Sequence, residues 1–243
     1  MSSTYLSLTN RVLRRINEAE LTETSFASSR GLHSVVKDSV VDAIREINQQ
    51  KWECPWQAIE HTITVSVGIN EYAWPQRFKS ADWESFQIIK DDSLEVASTN
   101  LVQMDRDMWY RNLKLADDDA GVLGVSAPRF VFRTHGTGFG VTPSPDKPYI
   151  IKYRYYRLGD EMALFSDVCE IPQEYDNVIL AGALAHVNVF KENPDGYNIY
   201  SSIFKNGISN MYNALVGSVT EMYDTRTTNT QTPIFSNTGN YKL

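Results

Sequence analysis

The hydrophobic periodicity of the chain changes twice, and this limits the folds that the chain can adopt. Over residues 4–19 the apolar side chains recur at intervals of three and four, which is the spacing of one face of an α-helix. The same spacing returns over residues 32–50 and stops before Pro55. The sequence therefore predicts two N-terminal helices joined by a linker over residues 20–28.

Alternation of polar and apolar residues replaces the helical pattern in the middle of the chain, as is typical of β-strands. Residues 61–67 alternate in this way, and Gly68-Ile69-Asn70 then leads into residues 71–74, so these two runs predict a β-hairpin. Further elements are predicted as strands at 83–89, 129–133 and 149–156, and as a short helix at 101–113. Together they predict a mostly β unit.

Helical spacing returns after this unit, over residues 175–190 and again over 197–222, with Asn193-Pro-Asp-Gly196 interrupting the pattern between them. Because helices lie on both sides of the strands, the sequence predicts an α+β fold. It consists of a bundle of about four helices with an inserted, mostly antiparallel β domain and an extended C-terminal arm. The predicted boundaries are 1–57 and 159–223 for the two parts of the bundle, 58–158 for the β domain and 224–243 for the arm.

The composition argues against several classes of function. The 243 residues include 30 acidic and 23 basic side chains, and a net charge of −7 argues against a protein that wraps nucleic acid. No long apolar run or signal-peptide pattern occurs, so no membrane contact is expected. The two cysteines, Cys54 and Cys169, are predicted to be buried thiols in a reducing compartment.

No motif for catalysis or cofactor binding stands out. The histidines have no metal-ligand spacing, and His186 is predicted to be a core or interface residue without a catalytic role. The glycine cluster at 136–140 lacks the GxGxxG spacing of a nucleotide-binding loop and predicts a hairpin loop or bulge. We therefore expect no enzyme activity, no catalytic residue, no cofactor and no bound metal.

Three arginines on the polar face of the first helix, Arg11, Arg14 and Arg15, are candidates for contact with a neighbouring subunit. Charge-assisted pairing with acidic residues across an interface favours this interpretation. Simple exposure to solvent is an equal alternative.

Several segments resemble the head-to-tail adaptor proteins of tailed bacteriophages, in particular those of short-tailed phages. The resemblance extends in order over most of residues 8–215 and rests on the segments 8–18 (LTNRVLRRINE), 29–32 (SRGL), 36–49 (VKDSVVDAIREINQ), 52–56 (WECPW), 142–156 (TPSPDKPYIIKYRYY), 171–175 (IPQEY) and 181–185 (AGALA).

The resemblance implies a virion structural protein at the head–tail junction, assembled in the host cytoplasm. Such a protein forms a ring of about twelve copies between the portal protein and the tail nozzle or other tail proteins. Genomic DNA passes through without specific binding, which an acidic protein favours. The arm then docks on the portal, and its few apolar anchors are Pro233, Ile234, Phe235, Tyr241 and Leu243.

Other functions remain open at this stage. A terminator, stopper or baseplate ring protein of the tail would share the acidity and the lack of catalytic motifs. A virion-associated peptidoglycan hydrolase would need a general acid in an apolar cleft. A carbohydrate-binding β module would need exposed aromatic side chains that stack on sugar.

Overall fold

The computed structural model describes residues 3–91, 96–114, 125–134 and 138–217, which form six α-helices and nine β-strands. The helices are α1 (Tyr5–Arg15), α2 (Glu23–Phe26), α3 (Leu32–Asn48), α4 (Arg106–Asn112), α5 (Asp176–Phe190) and α6 (Pro194–Tyr212). The strands are β1 (Ala58–Val65), β2 (Glu71–Ala73), β3 (Phe78–Ala81), β4 (Gln87–Ile88), β5 (Thr99–Asn100), β6 (Val102–Gln103), β7 (Phe130–Arg133), β8 (Gly138–Thr142) and β9 (Tyr149–Arg157). The predicted arm, 224–243, lies outside the described residues.

The four long helices α1, α3, α5 and α6 pack around one hydrophobic cluster, as the helical periodicity predicts. Helix α5 is the central helix, because ten of its residues are buried and they lie on every side of its axis. Gly182 in α5 allows this close packing, since a Cβ at this position would lie 2.8 Å from the ring of Phe204 and 2.9 Å from Cβ of Ala43. The α+β fold predicted from the sequence is confirmed.

Helix α6 begins three residues earlier than predicted. The side chain of Asn193 accepts a hydrogen bond from the backbone N–H of Gly196 at 3.1 Å, and Pro194 occupies the first helical position. Proline is well suited to this position, because the N–H of the first helical residue has no partner within the helix and its absence in proline removes no hydrogen bond. The segment 193–196 therefore starts the helix instead of interrupting it.

The predicted linker at 20–28 contains the short helix α2. Thr22 and Ser25 form a reciprocal capping box, in which each side chain binds the other residue's backbone N–H. Phe26 at the end of α2 is buried, and its ring lies 4.9 Å from the ring of Tyr5. Such a four-residue helix is too short to show a helical period, so the sequence pattern could not predict it.

The strands form two sheets. In the first, the long strand β9 pairs with β1 on one side and with β3 and β4 on the other, and β5 continues beyond β4. In the second, the order is β2-β8-β7-β6. Among the described strands, β6 and β7 form a parallel pair and every other named pair is antiparallel. The prediction of a mostly antiparallel β unit is confirmed.

The predicted hairpin between 61–67 and 71–74 is wrong. Strand β1 pairs with β9 along its whole length, whereas β2 pairs with β8 in the other sheet. The turn between them carries the chain from one sheet to the other, and the N–H of Gly68 donates to the carbonyl of Pro145 at 2.9 Å. Alternation shows which face of a strand is buried, but it does not identify the strand that supplies the hydrogen bonds.

Three other sequence predictions are partly wrong. The strand predicted at 83–89 is a 3₁₀ turn, Trp83–Ser85, followed by the two-residue strand β4. The helix predicted at 101–113 is the strand β6 followed by the shorter helix α4. Gly138 and Gly140, predicted to lie in a loop or bulge, belong to the buried strand β8. Position 140 requires glycine, because the ring of Phe132 occupies the space that a Cβ there would need.

The buried side chains form two separate clusters, one in the helices and one in the sheets. The helical cluster draws its residues from the chain before position 57 and after position 161, and the cluster between the sheets from positions 59–155. Both cysteines are buried and unbonded. The exact domain boundaries at 57/58 and 158/159 stay a prediction.

A lysine joins the two clusters. Lys79 of β3 donates through its Nζ to the carbonyl of Asn48 at 2.8 Å, to the carbonyl of Trp52 at 3.0 Å and to Oε1 of Gln57 at 3.1 Å. Asn48 is the last residue of α3, where the backbone carbonyls have no partner within the helix and the helix dipole favours a cation. Burial lowers the pKa of Lys79 below its usual value.

Replacing Lys79 should therefore weaken the connection between the sheet and the bundle. We expect Lys79→Met to lower the free energy of unfolding by about 2 kcal/mol, because two partly buried carbonyl oxygens lose a charged donor. The matched control is Lys51→Met, an exposed lysine just beyond the same helix end, which should change stability by less than about 0.5 kcal/mol. Urea denaturation measures both, and equal effects would contradict the role assigned to Lys79.

Candidate interaction surfaces

Asp176 connects the N-terminal segment and α1 to the central helix. Asp176 is 2% exposed. Its Oδ2 accepts a hydrogen bond from the hydroxyl of Ser3 at 2.6 Å, and the same oxygen forms an ion pair with the guanidinium of Arg11. Asp176 also lies in the first turn of α5, where the helix dipole favours a negative charge. Its Oδ1 is buried without a hydrogen-bond partner among the described residues. Arg11 is thus a structural residue within its own subunit.

The other two arginines of α1 are less constrained. Arg14 lies 3.4 Å from Glu20, and its side chain is 60% exposed. Arg15 donates to Oδ1 of Asn177 at 3.3 Å across an exposed contact. Exposed pairs of this kind contribute little to stability. Contact of Arg11, Arg14 or Arg15 with a neighbouring subunit stays a prediction, and Arg14 and Arg15 have the freer guanidinium groups.

The outer surface of α6 is nearly uncharged. Lys205 is the single charged residue between Gly196 and Gly217 in a chain with 22% charged residues. Phe204 and Met211 are buried on the inner face, whereas Ile199 is 59% exposed and Ile203 is 50% exposed. Exposed aliphatic side chains surrounded by Ser and Asn, with charge depleted, are typical of a surface that contacts another protein.

A second exposed aliphatic site lies at the turn between the two sheets. Val67 and Ile69 are both about half exposed. The hydroxyl of Tyr72 accepts from the N–H of Ser66 at 2.9 Å and donates to the carbonyl of Ile69 at 2.6 Å. These bonds hold the turn in one conformation, so its two aliphatic side chains are presented in a defined arrangement.

The titratable groups of the described residues show no catalytic arrangement. Burial raises the pKa of the Cys54 and Cys169 thiols to about 11, so both are poor nucleophiles. Nε2 of His186 lies 3.1 Å from Oε1 of Glu46, beside the groove between α3, α5 and α6. No group of His, Cys, Asp or Glu side chains in these ranges is placed to bind a metal ion. None of the helices described is long and apolar enough to cross a membrane.

Comparison with known proteins identifies the family. A family profile described as SU10 adaptor protein matches residues 3–233 of the chain. The chain belongs to the SU10 adaptor protein family. A search of curated proteins found no match. The adaptor family agrees with the resemblance to phage head-to-tail adaptors, which is confirmed.

Membership of the family establishes the general role of the adaptor. It is a phage structural protein that interacts with other phage head or tail proteins, and a virion component at the head–tail junction. The arm anchors that the sequence singled out, Pro233, Ile234, Phe235, Tyr241 and Leu243, lie outside the described residues. Their docking role therefore stays a prediction.

Sequence reasoning missed Asp176 and the surface of α6. The partners Arg11 and Asp176 are 165 residues apart, and no local pattern connects them. The α6 surface did have a signal, since Ile199 and Ile203 are four residues apart on a helix in which Asp195 of the first turn is the single acidic residue. Helical spacing alone does not show which apolar residues are buried, and the structure places the core face of α6 along Phe204 and Met211.

Replacing Arg11 and Arg14 separately tests the different roles of the α1 arginines. Arg11→Ala should lower the free energy of unfolding by about 2 kcal/mol, because the buried Asp176 carboxylate loses its cationic partner. Arg14→Ala, on the same helix, should lower it by less than about 0.5 kcal/mol. Urea denaturation followed by circular dichroism compares the two, and an equal loss would show that Arg11 is no more structural than Arg14.

Proposed function

We propose that the adaptor forms a closed ring of about twelve copies that joins the portal to the tail nozzle and surrounds the passage of the genome. The observation that supports this most is the nearly uncharged outer surface of α6 with its exposed Ile199 and Ile203. A ring needs a contact between two different surfaces of neighbouring copies, repeated until it closes. The α6 surface provides one of them, and Arg14 and Arg15 are available for the contact as well.

The charge of the subunit supports a role around DNA without binding it. The net charge of −7, repeated in every copy of a ring, repels the phosphate backbone. DNA can then pass through during ejection without adhering to the wall. The proposal assigns no catalytic step to any residue, and no membrane contact.

The arm, residues 224–243, is the proposed portal-docking segment. It is rich in Thr and Asn, and its apolar anchors would enter pockets on the portal surface; they are Pro233, Ile234, Phe235, Tyr241 and Leu243. The proposed division of labour gives ring contacts to the helical bundle, 1–57 with 159–223, and contacts with tail components to the β domain, 58–158.

Negative-stain electron microscopy of the protein alone and mixed with its portal tests the proposal. We expect a ring of about twelve copies on the portal with the full chain, and loss of the complex with a chain truncated after Met222. The loss follows because the truncated chain lacks every apolar anchor of the arm. Rings without affinity for the portal would instead favour a terminator, stopper or baseplate protein of the tail.

A charge on the α6 surface should prevent ring formation without unfolding the subunit. Ile203→Asp places a carboxylate in the proposed contact, where desolvation opposes association. The matched control is Ile69→Asp, at an equally exposed isoleucine on the turn between the sheets. We expect rings with the control and isolated subunits with Ile203→Asp, both with unchanged urea midpoints. Rings with Ile203→Asp would exclude α6 from the contact.

A further inference from the structure

The α5–α6 corner, residues 189–196, exposes large apolar side chains. Val189 and Phe190, at the end of α5, are 58% and 57% exposed. An aliphatic and an aromatic side chain exposed side by side in the sequence would lose contact with water if another protein covered them, which favours association. The corner is therefore a candidate for contact with a protein.

Acidic side chains accompany the apolar ones at this corner. Glu192 and Asp195 are exposed, and neither forms an ion pair with another described residue. Asp195 lies four residues before Ile199, so the two side chains share one stripe of α6. Lys191 is the single basic residue of the corner, which therefore carries a net negative charge. The apolar surface of α6 thus ends in acidic side chains.

Asparagine side chains hold the corner in one conformation. Nδ2 of Asn193 donates to Oδ1 of Asn188 at 2.9 Å, and Nδ2 of Asn188 donates to the carbonyl of Leu184 at 2.7 Å. The two segments approach closely at Gly196, where a Cβ would lie 2.3 Å from Oδ1 of Asn188. A surface that is already ordered loses little conformational entropy when it binds.

The α1 side of the subunit has the opposite charge. Helix α1 contains no acidic residue, and Arg14 and Arg15 at its end are both exposed. An apolar side chain is exposed here as well, because Val168, which pairs with Thr4 just before α1, is more than half exposed. Basic and apolar groups on this side complement the acidic and apolar groups of the corner.

The two surfaces lie at opposite ends of α5. Nη2 of Arg15 lies 3.3 Å from Oδ1 of Asn177 in the first turn of this helix, whereas Glu192 follows its last residue. The 15 residues of α5 separate its ends by about 20 Å. Arg15 and Glu192 therefore cannot pair within one subunit. Between copies, two different surfaces would meet, and such a contact can repeat from each copy to the next.

We propose that the α5–α6 corner of one copy binds the α1 surface of the next copy. In this contact Glu192 and Asp195 face the neighbouring α1, and their partners there are its exposed arginines, Arg14 and Arg15. The inference rests on the proposed ring and deepens it, because it names the second surface of the repeated contact. Ile199, on the stripe of Asp195, supplies apolar area, and the opposite charges orient the two copies.

Charge reversal and its compensation test this pairing. The first double variant combines Arg14→Glu and Arg15→Glu, and the second combines Glu192→Lys and Asp195→Lys. Each brings like charges together, so each should raise the protein concentration for half-maximal ring formation on the portal at least about tenfold. A chain with all four substitutions restores opposite charges and should return to within about threefold of the wild-type concentration. Negative-stain electron microscopy counts the rings, and circular dichroism checks that each variant is folded.

The matched control reverses two exposed basic residues outside the proposed contact, Arg30→Glu with Lys51→Glu. It changes the net charge as much as the first double variant does. Ring formation should stay within about threefold of the wild type, because exposed charges outside a contact contribute little to it. A loss equal to that of the first double variant would overturn the pairing, since net charge alone would then explain both results.

A mixture of the two double variants provides a second measurement. Mixed in equal amounts they should form rings, since each α1 surface then meets a corner of opposite charge on a different copy. Rings from both double variants at wild-type concentrations would overturn the pairing and leave the proposed ring standing. The same conclusion follows if neither the fourfold variant nor the mixture recovers. A wild-type chain that forms no ring on the portal would overturn the proposed function and the pairing together.

Discussion

The ammonium group of Lys79 is the contact on which the arrangement of the two units depends. It joins strand β3 to the carbonyl of Asn48, where α3 ends, and to Gln57, the residue before β1 begins. A helix end of this kind has carbonyls without intrahelical partners and a partial negative charge, so the partly buried cation of Lys79 is stabilised there. Lys79 thus binds both a helix end and the residue that precedes a strand. Together with the bond from Nε2 of Gln57 to Oδ1 of Asn48 at 3.0 Å, it helps to fix the direction in which β1 leaves the bundle.

Each unit then contributes a different kind of surface. The bundle packs around α5, which is buried on all sides, so α6 must lie on the outside and expose one of its faces. That face is nearly uncharged in an otherwise acidic chain, which suits the proposed contact between copies. The β unit instead exposes the aliphatic side chains of Val67 and Ile69 at the turn between the sheets.

The protein is acidic as a whole, whereas its α6 surface carries almost no charge, and the two properties suit different tasks. Negative charge distributed over the subunit keeps it soluble and repels DNA, whereas charge within a contact would have to be desolvated or paired. Charge is depleted at α6, because Lys205 is the single charged residue from Gly196 to Gly217. The proposed ring would need both properties, since it would contact other proteins and let the genome pass.

The four long helices and the position of the β unit were determined by the sequence alone, because a helix buries one face at a spacing set by its own geometry. The resemblance of the segments from Leu8 onwards likewise predicted the adaptor family. The tertiary structure decided which strands pair, which side of α6 is exposed and that Arg11 binds Asp176. It also placed Gly140 in a strand, against the ring of Phe132. These features join residues distant in sequence, or depend on the space that neighbours leave, and local periodicity contains no information about either.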